Sequence, residues 1–177
     1  MRASPVETTS KISSDAGCEK VQTPNLPEAR DEQSARQAAM AIFARATTLE
    51  LETGLNAADC SLECKDIRPP ESGLVMARGR ISGTGKPFNL GEVTVTRAVV
   101  QLPDGGRGFA YLRGRSQKRA RLAAIADAHW QSLNARSSVE KHLIEPVRQR
   151  LSAEKKKRNA EVAATQVDFF TMARGDD

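Results

Sequence analysis

The residues best equipped for chemistry gather in one short stretch. Arg113, Arg115, Lys118, Arg119 and Arg121 bracket Ser116, which can cap a helix that follows. Cations at a helix N-terminus oppose its macrodipole, at a cost of about 0.3–1 kcal/mol each on an exposed surface. An anion beside the amides of residues 114–116 reverses that penalty, because it meets free N–H groups and several positive side chains. The plain reading is a solvated basic face. The alternative is an anion or nucleotide site made by Arg113, Arg115, Ser116, Lys118 and Arg119.

Other candidates carry less. Gly83-Thr84-Gly85-Lys86 suggests a phosphate loop, but the first glycine of that motif falls on Arg80 and its hydroxyl position on Pro87. A strand, not a helix, is expected next, so the stretch reads as a hairpin loop. Cys60, Cys64, His129 and His142 lack paired zinc-type spacing, and no metal site is expected. On one strand Cys60 and Cys64 would sit about 13 Å apart, beyond disulfide reach. His129 falls in the apolar stripe of its helix and reads as a core or interface histidine. Asp127 flanks that stripe, where a helix-surface role is expected. No nucleophile–base set and no carboxylate pair stands out, so no catalytic residue is assigned.

The elements that must position the basic stretch are legible around it. Val93, Thr94, Val95, Thr96, Val99 and Val100 suit a pleated surface. Pro103, Asp104, Gly105 and Gly106 supply turn chemistry, and Phe109, Tyr111 and Leu112 resume the pattern. This hairpin, over residues 90–115, hands directly to a helix over 116–133 with the stripe Leu122, Ile125, Ala126, His129, Trp130 and Leu133. Upstream, Ala35, Ala38, Ala39, Ile42, Phe43, Ala46 and Leu49 predict an amphipathic helix within residues 33–55, with Gly54 as a stop and residues 47–55 as an alternative second short helix. Residues 61–68 and 74–82 read as two strands joined by a turn at Pro69–Pro70–Glu71–Ser72–Gly73. The expected fold is therefore α+β, a four-stranded antiparallel meander packed with helices. Residues 137–144 and a further helix to about residue 166 follow, with a boundary at Glu145–Pro146. That last helix has a thin stripe of Val147, Leu151 and Val162, so it lies on the surface or leans on another chain.

Composition bounds the rest. At 177 residues the chain is sized for one domain, and with 4% aromatic residues its core must be aliphatic and alanine-rich. A net charge of +5 favours anionic partners without choosing among them. No apolar run approaches the ~20 residues of a bilayer span. The start lacks the apolar core of a secretory signal, and three cysteines without a framework suit a reducing cytoplasm. Residues 1–31 mix polar residues with isolated apolar ones and are expected to be a disordered extension, leaving 32–177 as the folded domain. At the other end, Val167, Phe169, Phe170 and Met172 form an apolar cluster beside Arg174. They close the chain's own core, or they dock into a partner with Arg174 at the rim.

The tail VDFFTMARGDD, the segment GEVTVTRAVVQL and the run GRSQKRARLAAIADA resemble the G subunit (PhnG) of the bacterial carbon–phosphorus lyase system. The resemblance covers roughly residues 32–177. It implies an antiparallel sheet packed with helices inside a complex with the H, I and J subunits. It further implies that, with the I and H subunits and the ATPase-like L subunit, the chain supports a transferase reaction in which methylphosphonate displaces adenine from C1′ of MgATP. The product is a ribose 1-methylphosphonate 5-triphosphate. MgATP is then the complex's substrate, and no cofactor is expected on this subunit, which serves as an accessory and not as a catalyst alone. Two other readings stay open. One is a scaffold of the same complex that never touches substrate. The other is a small basic nucleic-acid-binding protein using Phe109, Tyr111 and neighbouring arginines, against which the lack of an RNP1-type signature counts.

Overall fold

The computed structural model describes residues 26–80 and 85–165. Its elements are α1 (Leu26–Phe43), α2 (Thr48–Ala57), β1 (Lys65–Gly79), β2 (Phe88–Gln101), β3 (Arg107–Arg113), α3 (Gln117–Gln131), α4 (Leu133–Val139) and α5 (Glu145–Ala164), with a π-turn at Glu140–Ile144 between the last two. The fold is α+β, but among the described residues its sheet has three strands in the order β1-β2-β3, not four. The expected turn at residues 69–73 does not form, and β1 runs straight through both prolines. Proline lacks the N–H that a central strand needs on both sides, whereas an edge strand needs its groups on one side only. β1 is such an edge. Its register against β2 slips between Asp66 and Arg68 and again between Arg68 and Glu71, so Pro69 and Pro70 sit in a bulge.

The β2–β3 hairpin follows local chemistry. The Asp104 carboxylate accepts the Gly106 N–H at 2.9 Å, and Gly105 takes a φ of +89°. Ala98, Ala110 and Leu112 face α3, where Ala120, Ala123, Ala124 and Ala128 are all buried. These small side chains let helix and sheet approach closely. At Gly108 the approach is extreme, since an added Cβ would lie 1.8 Å from the Ala124 carbonyl oxygen.

The remaining helices close the same side. Thr47 and Glu50 form a reciprocal capping box on α2. Gly54 of α2 lets Leu143 pack against its backbone, where a Cβ would stand 2.6 Å from a Leu143 methyl. Trp130 is buried, donates from Nε1 to Glu140 at 3.2 Å, and carries the Arg136 guanidinium over its ring at 4.0 Å. At Pro146 the backbone stays helical, and the boundary expected there is realised as the π-turn just before it. Pro146 has no N–H to give the preceding turn, which makes this the place where the helical ladder changes spacing. Val147 is buried and Leu151 half-buried, while Val162 is 64% exposed, so the far half of α5 lies in solvent.

α1 starts at Leu26 and so takes in residues 26–31, which were assigned to the extension. Pro27 stands in its first turn, where no N–H is required. Residues 1–25, Gly83 and Thr84 of the Gly83–Lys86 motif, and the apolar tail with Val167, Phe169, Phe170, Met172 and Arg174 lie outside the described residues. No helix among the described residues is long and apolar enough to cross a membrane.

Candidate functional site

The basic stretch is a corner between β3 and α3. Gly114 turns it with a φ of +107°, a conformation that suits glycine, and its N–H donates to the Thr94 carbonyl at 2.9 Å. The Gly114 carbonyl in turn accepts the buried Thr96 hydroxyl at 2.6 Å, and Thr96 meets Ser72 at 2.8 Å. The corner is thereby tied to both neighbouring strands. Ser116 caps α3, its hydroxyl accepting the Arg119 N–H at 3.4 Å.

Geometry sorts the cations that the sequence grouped together. Lys118 pairs with Glu52 of α2. Arg119 folds back to donate to the Arg113 carbonyl at 2.7 Å, leaving its Nε buried without a hydrogen-bond partner among the described residues. Arg121 binds Asp66 at 3.0 Å and the Cys64 carbonyl at 3.4 Å. The Asp66 hydrogen bond raises the Arg121 pKa, and burial works against it. Arg113 and Arg115 are exposed, with no carboxylate within ion-pair reach among the described residues. Two exposed guanidiniums at the mouth of a capped helix can hold and screen an anion. The corner contains no side chain placed to break or form a bond.

Asp127 does not lie on the helix surface. It is fully buried, and Arg36 of α1 grips it with Nε at 3.1 Å and Nη2 at 2.7 Å. The Phe109 N–H of β3 donates to it at 2.9 Å and Gln131 at 3.1 Å. One carboxylate therefore joins α1, β3 and α3 and occupies an N–H on the outer edge of β3. The Asp127 hydrogen bond raises the pKa of Arg36, against the opposing effect of burial. Both carboxylate oxygens of Asp127 accept hydrogen bonds that join elements of the fold, so this acid is structural. The available clue was its setting between Ala126 and Ala128, in a helix that buries almost every side chain from Ala120 to Trp130.

The thiols and histidines separate. His129 is half-buried with Nε2 2.9 Å from the Ser61 carbonyl, which pins the segment before β1. His142 is exposed. Burial pushes the Cys60 and Cys64 thiols up, and both are free, so neither is activated as a nucleophile. Among the described residues no group of three histidines, cysteines or acids comes close enough to share a metal ion.

Comparison with known proteins gives two findings. The family described as "Phosphonate metabolism protein PhnG" matches residues 34–175. A curated protein of Rhizobium meliloti (strain 1021), "Alpha-D-ribose 1-methylphosphonate 5-triphosphate synthase subunit PhnG", is 52% identical over 142 residues, which is 80% of this chain and 90% of the relative.

Proposed function

The chain belongs to the PhnG family of phosphonate metabolism proteins, and from that premise we propose that it is a subunit of an α-D-ribose 1-methylphosphonate 5-triphosphate synthase. The observation that carries this reading is the 52% identity to a named synthase subunit across 90% of that relative's length. In this reading the chain works in the cytoplasm with the H, I and J subunits of the carbon–phosphorus lyase core and with the L subunit. MgATP and methylphosphonate are substrates of the assembly, and adenine leaves from C1′.

Displacement at C1′ builds positive charge on the ribose while a triphosphate and a phosphonate stand nearby. A protein that orders those anions lowers the barrier by positioning and by electrostatics, without forming a covalent intermediate. Arg113 and Arg115, exposed at the capped start of α3, suit that task. Ser116 and Arg119 shape the corner, and Lys118 is paired with Glu52.

Reconstitution tests the reading. Mixed with the other synthase subunits, MgATP and methylphosphonate, the chain is expected to be required for adenine release and for the triphosphate product. Arg115→Ala is expected to lower that rate while leaving assembly intact. Full product formation without this chain would overturn the subunit role. An unchanged rate for Arg115→Ala at low salt would remove the anion site and leave a scaffold.

A further inference from the structure

Among the described residues the sheet is covered on one face only, and over part of its length on neither. β3 pairs with β2 from Val95 to Gln101 and no further. Beyond that point β1 and β2 continue alone, from the Leu74–Thr94 pair to the Gly79–Phe88 pair. A two-stranded ribbon is marginally stable by itself, so this arm calls for cover. Its side chains say the same. Leu74 is 62% exposed, Met76 52% and Leu90 63%, with Phe88 and Val75 also open to solvent. Strand pairing sets Leu74 and Met76 on one face and Val75 on the other, so both faces carry apolar surface. On the second face Val75, Val95, Arg97 and Tyr111 line a shallow recess of about 200 Å³. Apolar surface gathered in one place marks an interaction site more often than scattered exposure does.

The edge supports this reading. Natural edge strands are guarded by proline, bulges and charge. In β1 the guards Pro69 and Pro70 sit below the arm, and residues 72–77 carry neither a proline nor a charge. The charge around the arm selects the partner. Arg78, Arg80 and Lys86 lie on and beside it, all exposed, while of the acids on its strands Glu71, at the recess, is paired with Arg97 and Glu92 stands exposed. Two copies of this chain joined through their arms would set cation against cation, which opposes docking.

We infer that the β1–β2 arm is the surface by which the chain docks onto a different subunit of the synthase, one that offers an apolar surface with an acidic rim. The inference rests on the subunit reading above and adds the surface to it. Main-chain pairing along residues 72–79, pockets for Leu74 and Met76, and acids opposite Arg78 and Lys86 would make the contact.

The test uses the full chain co-produced with the other synthase subunits and read by size-exclusion chromatography and binding titration. The wild-type chain is expected to co-elute with the complex. Leu74→Ser/Met76→Ser/Leu90→Ser is expected to weaken association by at least about tenfold while the melting temperature of the isolated chain holds. Arg78→Glu/Lys86→Glu, which disturbs no packing, is expected to weaken it in a salt-dependent way and carries the test should the triple variant fail to fold. Co-elution of both variants at wild-type affinity would overturn the docking surface and leave the subunit role standing. Failure of the wild-type chain to co-elute would overturn both. An isolated chain that dimerises, and is made monomeric by the triple variant, would show the arm to be a self-contact and overturn the inference.

Discussion

One strand of this protein lives in two environments. From Val95 to Gln101, β2 is flanked by β1 and β3 and backed by α3, and Ala98 and Val100 are almost wholly buried. From Phe88 to Glu92 the same strand is exposed at every residue, with Leu90 pointing its bulk into solvent. The first half uses alanine and a glycine contact to bring backbones together. The second uses larger apolar side chains that nothing in the chain's own described residues covers. A sequence under pressure only to fold would place its large apolar residues in the closed half. Their placement in the open half points to a surface completed by another molecule.

Substitutions in the closed half should cost the most stability. Asp127→Ala leaves Arg36 half-buried without its partner and strips an acceptor from the Phe109 N–H, so a loss of about 3–5 kcal/mol is expected in chemical denaturation. A loss below about 1 kcal/mol would mean that the buried pair is not holding α1 to the sheet. Gly108→Ala comes next, at about 1–3 kcal/mol, because the new methyl must push α3 off the sheet. An unchanged midpoint would show that the helix–sheet contact is looser than its geometry.

A smaller effect is tied to pH. Burial pushes the Glu50 carboxyl up, but hydrogen bonds from Arg150 at 2.6 Å and from Thr47, together with the Arg150 charge, leave it below its ordinary value. Its contribution is therefore fully present above the ordinary carboxylate pKa of about 4.3 and is lost as pH falls through the lowered folded value. Glu50→Gln should flatten that acid limb of the stability curve. An identical acid limb in the variant would contradict the pairing. In the open half, Leu74→Ser should change stability by no more than about 0.5 kcal/mol. A large loss there would show that the arm is packed in the isolated chain and erase the contrast between the two halves.

What the sequence could reveal depended on how far apart the interacting residues lie. The β2–β3 turn, the Ser116 cap and the stripe of α3 rest on neighbours within a few positions, and the residue pattern displayed them. The course of β1 is not legible in the sequence, because a proline pair reads as a turn unless the strand is known to lie at an edge, and edge position is a property of the whole sheet. The cations at residues 113–121 were visible as a cluster. Their sorting was not, because Glu52 and Asp66, which take Lys118 and Arg121, come from elements far away in the chain. Asp127 was hidden for the same reason, since Arg36 lies 91 residues earlier. The resemblance to the PhnG family, by contrast, was carried by short strings of residues and needed no tertiary information.

The proposed function makes this chain one subunit of the synthase, required by the others and dependent on them for turnover. The most direct measurement is adenine release from MgATP and methylphosphonate, followed for the purified chain alone, for the remaining subunits without it, and for the full set. Release by the full set and by neither part is the predicted result. Turnover by the isolated chain, or full turnover by the others in its absence, would contradict it.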